Sequence, residues 1–240
     1  MISVLTLVLC WRSEVLHWRS ELANILKPSN LTDVYQFGVY KGSSMKQLNT
    51  ILKPNTLWGF DSFEGLPETE EQNIRDWKVH AYRDDPRKNL KAYKNFKFVS
   101  GYFNVSLTDE IASQMRSANY IDIDVDLFES SITALGFMFR NKIAVPGTYI
   151  GYDDIWVQPC SNHVHPLHVA EGKAHKIIAD TFHVEFECMN KACQRKPSGW
   201  GPVFRVKTVG KKIDYGWHVL PNEKVPGCKG RKDPFIKIPG

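Results

Sequence analysis

No stretch of this 240-residue chain holds the ~18 consecutive apolar residues that a membrane-spanning helix needs, so none is expected. Cysteine is sparse and odd in number: Cys10, Cys160, Cys188, Cys193 and Cys228. Irregular spacing of this kind does not read as a disulfide framework, and the expectation is a reducing, cytoplasmic setting. The glycine patterns G-x-G-x-x-G and the Walker loop are missing, which argues against a diphosphate cradle. Internal repeats and low-complexity segments are missing too. Basic residues lack an interleaved ladder of aromatics. The excess of Lys+Arg over Asp+Glu is 31 − 26 = +5. Part of it, from Lys211 and Lys212 through Lys224, Lys229, Arg231, Lys232 and Lys237, reads as a solvated tail rather than a nucleic-acid surface. The apolar run from Ile2 to Trp11 has no basic flank and no small-x-small cleavage pattern, so it reads as a packed N-terminal segment.

What is present is a strong alternation. In Tyr120-Ile121-Asp122-Ile123-Asp124-Val125-Asp126-Leu127 the three aspartates fall two apart. On a strand they share one face, with Ile121, Ile123 and Val125 on the other. Like charges that close repel, and a buried unpartnered one is costly, so the strand must end among them or bring a cation. A second acidic pair, Asp153-Asp154, closes the apolar run Gly147 to Tyr152. Two strand ends carrying carboxylates point to an oxygen-ligand metal site at one sheet edge. Asp122 is expected inside the strand with a buried hydrogen-bond partner, Asp124 at its carboxyl end, and Asp126 beyond it, leading into the helix as a cap or competing for the metal and base roles.

The remaining segments alternate between the two periodicities. Helical spacing covers Ser13–Leu26, Ser43–Leu52, Leu107–Met115, Ser130–Arg140 and Gly172–Phe186. Strands are expected at Asp33–Gly38, Leu57–Asp61, Phe96–Ser100, Tyr120–Asp124 and Val145–Asp153. A closing antiparallel pair, Val203–Lys207 with Trp217–Leu220, is expected around Gly210. Such alternation means an α/β, mostly parallel sheet, in which ligands bind beyond the strands' carboxyl ends. The polar stretch Ser62–Asn95 is long for a connector and reads as a functional loop with short helical pieces, its aromatics near Trp77, His80 and Tyr82 placed to close over a substrate. The expected domains are an N-terminal helical segment (1–30), a main α/β domain (31–220) and a basic tail (221–240).

Gly38 and Gly42 lie in a strand-to-helix turn, where glycine lets the backbone approach a ligand and a helix start offers free N–H groups. Asp61 ends the next strand, where a carboxylate accepts from ribose hydroxyls, a loop cap being the alternative. Together they suggest an adenosyl ligand without a diphosphate, S-adenosylmethionine. Cys160, His163, His165 and His168, with Cys188 and Cys193 later, contain zinc-type ligands at no familiar spacing; a surface loop is the plainer reading, with a base or substrate contact the other.

Val34-Tyr35-Gln36-Phe37-Gly38-Val39-Tyr40-Lys41-Gly42-Ser43-Ser44, followed by Trp58-Gly59-Phe60-Asp61-Ser62-Phe63-Glu64-Gly65-Leu66-Pro67, resembles the macrocin-type (TylF) O-methyltransferase family. Ile123 to Ser130, the acidic pair after Tyr152, and Glu171-Gly172-Lys173-Ala174-His175 are similar to further motifs of that family. The resemblance implies a Rossmann-like class I methyltransferase fold: a seven-stranded sheet, the last strand antiparallel, helices on both faces. It implies S-adenosylmethionine and Mg2+ as cofactors and methyl transfer to a hydroxyl of a small molecule, a sugar or glycosylated metabolite. The cofactor-binding candidates are Gln36, Gly38, Tyr40, Gly42, Ser44, Asp61 and Ser62. The metal candidates are Asp124, Asp153 and Asp154, with Asp124 also the candidate base. Gln36 departs from the family pattern, which has an acid there. A small-molecule acceptor is expected, neither nucleic acid nor membrane is, and a homo-oligomer is left open. The alternatives are a metal-independent methyltransferase, a non-catalytic cofactor-fold module and a dinucleotide oxidoreductase.

Overall fold

The computed structural model describes residues 18–26, 33–68, 78–156, 165–193 and 201–217. Seven strands form one sheet: β1 (Asp33–Phe37), β2 (Thr56–Asp61), β3 (Phe96–Ser100), β4 (Tyr120–Ile123), β5 (Tyr149–Tyr152), β6 (Glu185–Cys188) and β7 (Val203–Thr208). Their order is β3-β2-β1-β4-β5-β7-β6. The ladders from β3 to β5 are parallel, and β7 runs antiparallel to both its neighbours. The helices are α1 (Leu22–Ile25), α2 (Ser43–Leu52), α3 (Phe103–Ser106), α4 (Asp109–Ser113), α5 (Phe128–Arg140) and α6 (Ala170–Phe182).

Every residue of β1 and β4 is buried because helices cover both faces of the sheet. On one face Leu135, Met138 and Phe139 of α5 pack with Ala174 and Ile178 of α6 against Phe37, Ile121 and Ile123. On the other, Met45, Leu48 and Leu52 of α2, a helical stripe, pack with Trp18, Leu22 and Leu26 against Val34 and Leu57. Residues 18–26 thus share the core of the main domain.

Three expectations need correction. The strand that pairs with β7 is β6, not Trp217–Leu220: Trp217 is not in a strand, and 218–220 lie outside the described residues. The α6 helix stops at His183, whose left-handed backbone (φ 49°) ends it, so Glu185 to Cys188 are free to extend. Only Phe186 of that strand is fully buried, which left little apolar alternation to read. The expected Ser13–Leu26 helix is interrupted at Glu21, between helical Trp18–Ser20 and α1. Finally, Cys188 and Cys193 form a disulfide with a Cα separation of 6.2 Å. Cysteine usage therefore no longer argues for a reducing compartment. The tail 221–240 lies outside the described residues, and no described helix is long and apolar enough to cross a membrane.

One buried polar group ties the α6 face to the sheet. His175 is fully buried between the rings of Phe186 and Phe204. Its Nε2 lies 3.0 Å from the carbonyl of Tyr215, so Nε2 carries the proton and donates. Its Nδ1, 2.9 Å from the Tyr152 hydroxyl, accepts. Burial pushes its pKa down to about 4. Between the unfolded value near 6.5 and about 4, unfolding takes up a proton, so this group's contribution is full above pH 6.5 and is lost as pH falls through that window. The contribution amounts to roughly 3 kcal/mol. Denaturant unfolding at pH 7 and pH 4.5 should show a smaller stability difference for His175→Gln than for the unaltered chain.

Candidate active site

The parallel register delivers the site. Phe37 is opposite Phe60 and Ile123, and Ile123 is opposite Tyr152. The next residue of each strand therefore falls in one row: Asp61, Gly38, Asp124, Asp153. Hydrogen bonds continue into that row, from Gly38 N to Phe60 O (2.9 Å), Asp124 N to Phe37 O (3.0 Å) and Asp153 N to Ile123 O (2.9 Å). β1 and β4 are neighbours here although two strands separate them in sequence. This is the switch point where a crevice opens beyond the carboxyl ends.

Gly38 sits where the two strand ends come closest. Its φ is +84°, and a Cβ there would lie 1.8 Å from the Asp124 carbonyl oxygen. No other residue fits. Asp61 holds the loop: its Oδ2 accepts from Val39 N (2.7 Å) and Tyr40 N (2.9 Å), and its Oδ1 accepts from Phe63 N (2.7 Å). The carboxylate is thus a loop clamp, and the one remaining lone pair, on Oδ1, is what it can offer a ligand. Gln36 is fully buried beneath the loop, its Nε2 donating to Gly38 O (2.7 Å) and to the Ser44 hydroxyl (2.6 Å). Gly42 (φ +72°) starts α2 without a side-chain cap, leaving N–H groups of the first turn open. Ser62 is spent on its own turn, accepting from Glu64 N and donating to Gly65 O. Exposed Tyr40, in left-handed backbone, meets Tyr82 edge-to-face at 5.6 Å. Tyr82 arrives there because main-chain bonds cross the 62–95 loop, Leu66 N donating to Ala81 O and His80 N to Leu66 O. Trp77 lies outside the described residues.

Asp124, Asp153 and Asp154 each offer an oxygen within 4.8 Å of the others. They do not stand alone. The Arg19 guanidinium, 2% exposed, reaches Asp122 Oδ2 (2.9 Å), Asp124 Oδ2 (3.0 Å) and Asp153 Oδ1 (3.2 Å). Trp18 Nε1 donates to the same Asp153 oxygen at 2.8 Å. Asp122 is fully buried and also accepts from the Tyr120 hydroxyl at 2.7 Å. Its expected hydrogen-bond partners are therefore Tyr120 and a cation from the N-terminal segment. Burial raises the Asp122 pKa, an effect Arg19 and Tyr120 oppose.

Asp126 is no helix cap; that position belongs to Leu127. With φ +62° it turns into the cluster beside Asp154, with which it is electrostatically coupled. Burial, then the Asp124 charge, push its pKa up to about 8. Burial, then Asp153, raise that of Asp124. Behind the cluster, fully buried Glu171 accepts from Val125 N (3.4 Å) and Asp154 N (3.2 Å), bracing both acidic turns.

The histidine segment is partly resolved by these contacts. Cys160 and His163 lie outside the described residues. His165 is buried and caps its own turn, accepting from Leu167 N. Cys188 and Cys193 are consumed in the disulfide, so they are not zinc ligands. Sequence reading missed Arg19, Trp18 and the bracing role of Glu171. The need of Asp122 for a partner signalled Arg19, and Glu171 stood in a stretch similar to a family motif; Trp18 carried no signal.

The model of macrocin O-methyltransferase (TylF) matches residues 12–190. The chain belongs to this family. A curated relative, demethyldecarbamoylnovobiocin O-methyltransferase of Streptomyces niveus, is 25% identical over an alignment of 151 residues, covering 55% of this chain and 56% of the relative. The match thus spans little more than half of that relative's length. Among solved structures, the O-methyltransferase NovP superposes with a TM-score of 0.55 at 18% identity, covering 81% of this chain and 80% of that one. The calicheamicin methyltransferase CalS11 gives 0.52 at 13%, covering 85% and 80%. The Bacillus cereus O-methyltransferase in complex with SAH gives 0.50 at 15%, covering 82% and 81%. At these identities the likeness establishes the fold, that of the class I methyltransferases. In this TylF-family chain, Gly38→Ala should cost about 2 kcal/mol or more, because the collision is with backbone that cannot give way. Thermal melting should show a drop of roughly 4–8 °C.

Proposed function

We propose that this TylF-family chain is an S-adenosylmethionine- and Mg2+-dependent O-methyltransferase. Its acceptor is a hydroxyl of a small molecule, a sugar or glycosylated metabolite. The observation that carries the reading is the shared row. The glycine loop and the three carboxylates Asp124, Asp153 and Asp154 lie side by side at one sheet edge. The relatives' names, macrocin, demethyldecarbamoylnovobiocin and calicheamicin, support a small-molecule acceptor.

The residues fit both groups. Hard oxygen ligands in this number suit Mg2+, and Arg19 engages one oxygen each of Asp124 and Asp153, leaving the other free. Gly38, the open first turn of α2, Ser44 and the one remaining lone pair of Asp61 suit an amino-acid and ribose-bearing ligand. Gln36 acts through the loop it braces, and Tyr40 flanks it. When bound, the cofactor supplies the methyl group and Mg2+ lowers the pKa of the acceptor hydroxyl. The chain's own residues do the rest. Asp124, Asp153 and Asp154 would hold the ion, and the loop pinned by Asp61 would hold the cofactor in place against the acceptor. Arg19 already engages Asp124, so Asp126, in the same carboxylate cluster, is the better-placed proton acceptor. A metal-independent methyltransferase is the second reading, favoured by Arg19, which already balances two of the three carboxylates.

EDTA separates the two: activity should vanish and return with Mg2+, whereas activity indifferent to EDTA selects the second reading. Calorimetric titration should detect S-adenosylmethionine binding, and its absence would overturn both. Asp124→Asn should abolish turnover of labelled cofactor while cofactor binding survives. Asp126→Asn should lower kcat roughly 10²–10⁴-fold.

A further inference from the structure

We propose that Arg19 is the positioning residue of the acidic site, a built-in cation from the N-terminal segment that holds Asp124 and Asp153 in the orientation in which they ligate metal. The proposal rests on the metal reading above and adds a residue outside the strand-end motifs.

The first observation is the engagement itself. One guanidinium reaches Asp122, Asp124 and Asp153, from adjacent strands, within 3.2 Å. The same Nη2 bonds both Asp122 and Asp124, and Nη1 faces Asp153, so the planar fork fixes the two outer carboxylates relative to each other. An ammonium on a flexible stem cannot impose that geometry.

The second observation is how firmly the fork is seated. Its carbon lies 4.4 Å from the Trp18 ring centroid, and the Trp18 indole bonds Asp153. That indole occupies a socket made by two glycines. A Cβ on Gly201 would fall 2.3 Å from the Trp18 ring, and one on Gly151 of β5 would fall 3.2 Å from it. Asn190 links the same region, its Nδ2 donating to Gly201 O at 2.8 Å. A buried cation with this much backing is a fixed part of the site, whereas a surface arginine would move with its side chain.

The third observation is the charge balance. Asp122 and Asp124 are two residues apart on one face, and Asp153 and Asp154 are consecutive. Without a resident cation these carboxylates would repel one another and either protonate or splay. Outer partners of this kind, which orient ligands without touching the ion, are generally worth 10–100-fold in metal affinity.

The test uses the full chain and Mn2+ as probe, with bound ion read by loss of the free Mn2+ paramagnetic resonance signal. Arg19→Met should weaken Mn2+ binding roughly 10–100-fold, while calorimetric affinity for S-adenosylmethionine stays within about threefold of the unaltered chain. Activity of the variant should recover at saturating Mn2+, a rescue that a merely structural lesion would not show. Arg19→Lys, which keeps the charge and the fold of the cluster but loses the fork, should fall between the two. It decides the matter if the methionine variant does not fold. Mn2+ affinity unchanged or tighter in a folded variant overturns the positioning role alone. No Mn2+ binding by the unaltered chain overturns the metal reading and this proposal with it.

Discussion

Too many carboxylates meet at one sheet edge for water alone to hold them. Asp124, Asp126, Asp153 and Asp154 lie just beyond the ends of β4 and β5, Asp122 within β4 and Glu171 on α6 join them, and among the described residues Arg19 is the cation paired with this cluster. Each acid copes differently. Asp122 takes Arg19 and Tyr120, burial and neighbouring charge push the Asp126 and Asp154 carboxyls toward their neutral forms, and Glu171 accepts two backbone N–H groups. Removing one partner from such a buried set costs about 3–5 kcal/mol, because a charge is then left uncompensated. The N-terminal segment therefore packs as tightly as it does for electrostatic as well as apolar reasons.

The same edge explains why the glycine loop and the acidic cluster are inseparable. Gly38 and the Asp124 carbonyl are in such close approach that neither strand end can shift without the other. Asp61 ties the loop from the opposite side. A change in the glycine turn is thus transmitted to the carboxylates through backbone alone. In a parallel sheet this coupling follows from register: ladder hydrogen bonds carry each strand end into line with the next.

Particular residues mark how far the sequence could be read. The strand-end position of Asp61, Asp124 and Asp153 was legible, because apolar runs closed by an acid identify both the strand and its end. The burial of Asp122 was legible as a need for a partner, without the partner's identity. β6 was not legible, since a four-residue edge strand with one fully buried side chain carries little periodicity. The Cys188–Cys193 disulfide was hidden by the odd cysteine count, and Asp126 looked like a helix cap because Ser130 and a helical pattern follow it.

By itself the sequence determined the α/β class, the glycine turn and which carboxylates arrive at one sheet edge, because side-chain periodicity and strand termination are local properties. Only the tertiary structure decided what those carboxylates meet. Arg19 lies more than a hundred residues from Asp122 and Asp124, and its approach depends on Gly151 and Gly201 clearing space for Trp18. Such a contact has no local signature, because it is set by the packing of three distant segments and by the charge they must jointly neutralise.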